Sequence, residues 1–174
     1  SAAGDVSAPI RRALDKATPI SYKTNGSDLR VIFKDFDRRS LYAVGSNEGG
    51  VFTEEEQAAA KWVMWKQEEK IMYEGFDPTD GSNPNFMDNL ERGSKRLAQC
   101  LDSVSPEERS SSSWAIKRAG VQSFHNLIAE RNGHVPEDET ASNEFVSLLS
   151  GLQTRWNSNN PGNITLNSDS SLAE

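Results

Sequence analysis

The residues best placed to do chemistry lie in GSNEGGVFTEEE (45–56), between two helical stretches. With Gly50 at the sharp turn of a twelve-residue calcium loop, Asn47 falls at the third ligand position and Phe52 at the apolar eighth. Thr53 then takes the ninth position and Glu56 the twelfth, where a bidentate carboxylate belongs. Gly45 and Gly49 stand at the first and fifth positions, where carboxylates normally coordinate. About six oxygens are required, and Asn47, one carbonyl, Thr53 and Glu56 supply about four. Glu48 and Asp37 are near in sequence but out of register. Two readings follow: a calcium site with an affinity of about millimolar, or a structural elbow. In the elbow, Gly49 and Gly50 permit the turn while Val51 and Phe52 plug the core.

Asp77-Pro78, followed by Asp80, resembles the bond at which some secreted bacterial modules cleave themselves when calcium binds. Their Gly-Asp-Pro-His context is absent, since Phe76 precedes and Thr79 follows, and an Asp-Pro pair is also an ordinary turn initiator. The acidic loop at 77–88 is a further source of oxygen ligands. Trp65 and Glu69 form a W-x-x-x-E pattern, which resembles a signature of bacterial effectors that activate host GTPases. The alternative places Trp65 in the core or against a partner, with Glu69 solvated beside it.

Other reactive types give less. Ser110–Ser113 read as a solvated helix face, His125 as a satisfied histidine and Cys100 as a core thiol. Asn25-Gly26-Ser27 and Asn163-Ile164-Thr165 match the glycosylation acceptor, which matters only in a eukaryotic secretory protein. No catalytic constellation emerges.

The elements that must position these residues read as mainly helical. Ser7 caps a helix over 8–16, and ISYK (20–23) and LRVIFKDF (29–36) read as strands around Asn25-Gly26, a strong hairpin signal. Leu29, Val31 and Phe33 would form the apolar face of the second strand. Asp37 caps RRSLYAVGS, and Thr53 with Glu56 forms a capping box that opens a helix running to about Tyr73. Trp62, Trp65, Met72 and Tyr73 make an aromatic-rich stripe along it. After a loop over 76–85, a helix runs from about Asn85 to Leu101 with Phe86, Leu90, Leu97 and Leu101 inside. Ser105-Pro106-Glu107-Glu108 opens another to about Arg131, burying a selection of Trp114, Ile116, Ala119, Phe124, Leu127 and Ile128. A last helix is expected over 139–156 and a polar tail over 157–174. The expected architecture is therefore a mainly α, five- to six-helix domain over 7–156 with one small β-hairpin at about 20–36 and a flexible N-terminus at 1–6.

At 174 residues the chain is long enough to bury a core. A mean hydropathy of −0.67 fits a partly solvated chain. The net charge of −7 argues against non-specific nucleic-acid binding, which needs clustered Lys and Arg. No apolar run approaches the roughly 20 residues of a membrane span. No signal peptide is legible, and processing would hide one. One cysteine and two histidines are too few for an internal disulfide or a Cys/His zinc site.

LYAVGSNEGGVFTEEEQAAAK, together with LDSVSPEERSSSSWAIKRA (101–119), resembles stretches of uncharacterised, often secreted bacterial proteins with an EF-hand-like turn. In those the turn more often reads SNxDGxFSxEEQ, and here Gly49 replaces the aspartate. The resemblance implies a secreted or effector-like bacterial protein and assigns no activity. The chain is thus expected to be a non-enzymatic protein-interaction module with a protein partner, no nucleic acid and no membrane span. Two alternatives are a calcium-responsive module, including the variety that cleaves itself at Asp77-Pro78, and an effector that acts on a host GTPase through the Trp65 region.

Overall fold

Side-chain caps mark the start of five of the seven helices among the described residues. The computed structural model describes residues 6–136 and Gly151. Among them, Asn25 accepts from the backbone N–H of Asp28 to open α2 (Gly26–Ile32), and Asp37 from that of Ser40 to open α3 (Arg38–Ser46). Thr53 and Glu56 close both halves of a capping box at α4 (Glu54–Met72). Ser105 opens α6 (Pro106–Arg109) and Ser111 opens α7 (Ser112–Arg131). The remaining helices, α1 (Ser7–Asp15) and α5 (Phe86–Asp102), lack a side-chain cap. Ser7 is the first residue of α1 rather than its cap, which is Val6.

The expected hairpin at 20–36 is not formed: no strand occurs among the described residues, and α2 occupies its second half. Leu29 and Phe33 are buried with Ile32 and Phe36 packed beside them, which is helical spacing, whereas Val31 is 67% exposed. Asn25-Gly26 serves as cap and first helical residue instead of a reverse turn. A Cβ at Gly26 would collide with the Trp62 indole, so glycine lets α2 start against that ring. Packing has overridden the strand propensity of the β-branched and aromatic residues.

The helix expected from 105 to 131 is broken in two. Ser111 adopts extended backbone angles, donates its hydroxyl to the Glu108 carbonyl and accepts from the Trp114 N–H. Serine hydroxyls here offer the backbone an alternative to continuous helix. The helix expected over 139–156 and the tail over 157–174 lie outside the described residues, apart from Gly151, as do residues 1–5.

Two packed units share α4. Ile10, Leu14, Leu29, Phe33, Leu41, Val44 and Phe52 converge on Ala59, Ala60, Val63 and Met64 of α4. On the other side α5 pairs with α7 and also touches α4. The buried side of α4 thus carries Ala59, Ala60, Val63, Met64 and Met72, with Glu56 and Glu68 buried among them. Trp62 stays partly buried at its edge, and Trp65 is 51% exposed rather than internal. On α7, Phe124 and Leu127 face outward, while Ala119, Ile128 and Ala129 are buried. Close approach explains the selection of small residues on α5. Gly93 lies against the Met72 carbonyl at the end of α4, and Arg96 donates to the Ile71 and Glu74 carbonyls at 3.3–3.4 Å. The guanidinium thereby satisfies carbonyls that a helix C-terminus leaves without partners.

Gly93→Ala drives a methyl into the Met72 carbonyl, and thermal denaturation should show a loss of about 1–3 kcal/mol. Gly81→Ala, where the added methyl meets open space, should change stability by no more than about 0.5 kcal/mol.

Candidate interaction groove

The calcium-like turn is closed by its own side chains. Asn47, in the left-handed region at φ 51°, caps the end of α3. Its amide oxygen accepts from the Phe52 N–H at 2.9 Å and its amide nitrogen donates to the Phe52 carbonyl at 3.2 Å. Thr53 and Glu56 are occupied with each other in the capping box. The Glu56 carboxylate also receives both terminal nitrogens of Arg11, at 2.6 and 2.8 Å. Burial pushes its pKa up, but the Arg11 guanidinium and the Thr53 N–H outweigh burial and hold it below the usual carboxylate range. Phe52 is buried, as the elbow reading requires, whereas Val51, expected beside it in the core, is 46% exposed. The donors needed for calcium are therefore engaged, and no group of three His, Cys, Asp or Glu is set to hold a metal among the described residues.

Asp77 and Asp80 each close a short turn, accepting from the backbone N–H and hydroxyl of Thr79 and Ser82 respectively. Hydrogen bonds from Thr79 lower the Asp77 pKa, the condition of an ionised turn-capping carboxylate. Asn25, within its glycosylation triplet, caps α2 and donates to Asp28; Asn163 lies outside the described residues. Burial raises the Cys100 thiol pKa, which keeps it protonated and unreactive.

His125 sits beside Ser94, with Nδ1 at 3.0 Å from the hydroxyl and 3.2 Å from the Glu91 carbonyl. Ser94 is wholly buried and donates to that same carbonyl at 2.9 Å, which leaves no approach for a substrate. The Glu91 carboxylate accepts from the Asn132 amide and faces His134 Nδ1 at 2.8 Å. Hydrogen bonding from Asn132 is the main cause of its lowered pKa, with His134 adding to it. This group clasps the end of α7 to α5.

A buried ion cluster joins α3, α4, α6 and α7. Arg38 reaches Glu68 and Glu108, each at 2.6 Å, and Lys117 Nζ lies 2.8 and 2.9 Å from the two Glu68 oxygens. Burial opposes the Arg38 charge, but hydrogen bonds to Glu108 and Glu68 prevail and raise its pKa. Glu108 was visible in sequence only as a capping residue, and Arg38, Glu68 and Lys117 carried no local signal at all.

The outer flank of α4 offers an open concave surface, a groove of about 710 Å³ between α2 and α4 that extends to Pro78. Trp62 forms its centre, with the Arg30 guanidinium 5.8 Å from the ring centroid and the Lys66 ammonium at 6.0 Å. Lys66 also lies 4.4 Å from the Trp65 ring and pairs with Glu69. Phe33 and Phe36 meet edge to face at 5.2 Å in the wall, and Tyr73 closes the far end. Four cations, Arg30, Lys34, Lys66 and Lys70, line the groove against one carboxylate, Glu69. Arg30 and Lys70 make no ion pair among the described residues. Its lining thus combines aromatic rings with cations. Sequence reading picked out Trp65 and Glu69 and placed Trp62 in the aromatic stripe, but missed the cations, because Arg30 and Lys34 come from the segment read as a strand.

Arg11→Met should lower stability by about 1–2 kcal/mol at pH 7, since the pair is only partly buried. A carboxylate with a lowered folded pKa contributes stability above its unfolded pKa and loses it as pH falls through the folded value. The gap between wild type and variant in melting temperature should therefore close below about pH 4. Calcium at millimolar concentration should leave the melting temperature of the wild type unchanged; a saturable rise would show that the turn can exchange Arg11 for a cation.

No family model matches the chain, and no curated protein or solved structure matches it either.

Proposed function

We propose that the protein is a non-enzymatic interaction module, and that the α2–α4 groove docks an acidic peptide segment of a partner protein. The observation that carries this reading is the cation–aromatic stack of Arg30, Trp62, Lys66 and Trp65, an excess of positive charge in a chain of net charge −7. Cations held over indole rings retain their charge while presenting flat apolar area, and this combination attracts carboxylates and packs their aliphatic or aromatic neighbours. Complementary charge also speeds encounter and excludes basic partners. The resemblance to secreted bacterial proteins supports an extracellular or host-directed setting for this partner.

A fluorescein-labelled twelve-residue peptide alternating Glu with Leu and Phe provides the test, with polarisation as the readout. Binding should saturate, and should weaken when salt is raised enough to shorten the screening length below about 5 Å. Charge reversal at Arg30→Glu with Lys66→Glu should reduce affinity by about tenfold or more. Equal affinity for a Gln-for-Glu peptide, or tighter binding of a single-stranded oligonucleotide, would overturn the acidic-peptide reading.

A further inference from the structure

A second concavity, of about 400 Å³, lies on the opposite flank of α4 where α3 and α7 approach it. Its size is within the range of small-ligand pockets. Tyr42, Met64 and Trp114 provide apolar walls. The Trp114 indole N–H already donates to the Leu101 carbonyl at 2.8 Å, so that ring presents hydrocarbon to the cavity without an unmet donor. Gly45 contributes to the space by having no side chain. A Cβ there would stand 3.2 Å from Cγ of Lys61, within the cavity's own lining.

Charge accounting at this wall singles out one group. Glu108 lines the cavity but is held by Arg38, and Lys117 lines it but is held by Glu68. Lys61, at the exposed rim, makes no ion pair among the described residues. The cavity therefore combines flat aromatic walls, a polar margin of Gln57 and Ser113, and one uncompensated cation.

We propose that this cavity binds a small planar aromatic ligand with a single negative charge, of the aryl carboxylate class. The ring packs between Tyr42 and Trp114 above Met64, and the carboxylate meets the Lys61 ammonium at the rim. A neutral ring of the same shape keeps the packing and loses the charge-assisted contact. An ammonium-bearing ring is repelled. The site is separate from the α2–α4 groove and shares no lining residue with it.

The probe is 2-naphthoate titrated into the ¹⁵N-labelled full chain, with 2-naphthamide and 2-naphthylmethylammonium as matched controls. Naphthoate should shift the Trp114 indole and Gly45 amide resonances saturably. The amide should bind about tenfold more weakly, the factor expected from one charge-assisted contact, and the ammonium more weakly still. Lys61→Met, on the exposed rim, should reduce naphthoate to the affinity of the amide while circular dichroism and melting temperature stay unchanged. Gly45→Leu should abolish the shifts by filling the space. Equal binding of all three probes would overturn the proposal. So would full affinity in Lys61→Met, or shifts centred on Trp62 instead of Trp114.

Discussion

The buried Arg38 cluster is the constraint on which the other contacts depend. Its guanidinium lies between carboxylates from α4 and α6, and the α4 carboxylate in turn holds Lys117 of α7. Desolvating such charges is costly, and an apolar set of similar volume often matches or exceeds a buried ion pair in stability. The cluster supplies geometry instead. Arg38 follows directly after the Asp37 cap, so the start of α3 is fixed to the middle of α4 and to the short α6. These pairs tie the four elements together at once, and removing Arg38 would leave the buried Glu108 without its cation.

Along α4 the alanines face the α1–α3 core, while the two tryptophans stand at its flank. Ala59 and Ala60 let the core of α1–α3 approach closely, and Gly93 lets α5 do the same near its C-terminal end. Trp62 and Trp65 are then displaced to the flank. Such placement costs burial of two large apolar side chains, each a major source of stabilisation when internal. The cations Arg30 and Lys66 partly cover these rings, which sets charged, solvated groups over the apolar area.

Much of the helical framework was legible because it rests on local chemistry. Asp37, Thr53 with Glu56, and Ser105 with Pro106 mark helix starts by rules that act over three or four residues. The elbow at Gly50 and Phe52 was likewise readable, as was the mainly helical class. Segment 20–36 failed for a definite reason. Leu29 and Phe33 satisfy both alternation and a four-residue step, so the pattern is degenerate until the exposure of Val31 breaks the tie. The role of Gly26 is decided by Trp62, 36 positions away, and no local rule contains that contact. The Arg38 cluster was invisible for the same reason, its partners being 30 and 70 residues distant. Glu56 shows the limit most clearly. Its position predicted either a ligand or a cap, and what decides between them is Arg11 arriving from α1.

The distribution of unpaired charge carries the argument from fold to function. An acidic chain repels anions in bulk, so a cation left without an ion partner near an apolar concavity marks a place where a specific anion gains more than the average surface offers. Arg38, Lys117 and Arg11 are spent on internal carboxylates and hold helices together. Arg30 and Lys61 are not: one lies over Trp62, the other at the rim of the Tyr42–Trp114 cavity. They stand on opposite flanks of the same helix layer, each beside aromatic area that the core did not absorb. On both flanks of α4, therefore, an unpaired cation stands beside aromatic side chains at a concavity, of about 710 Å³ on one side and about 400 Å³ on the other.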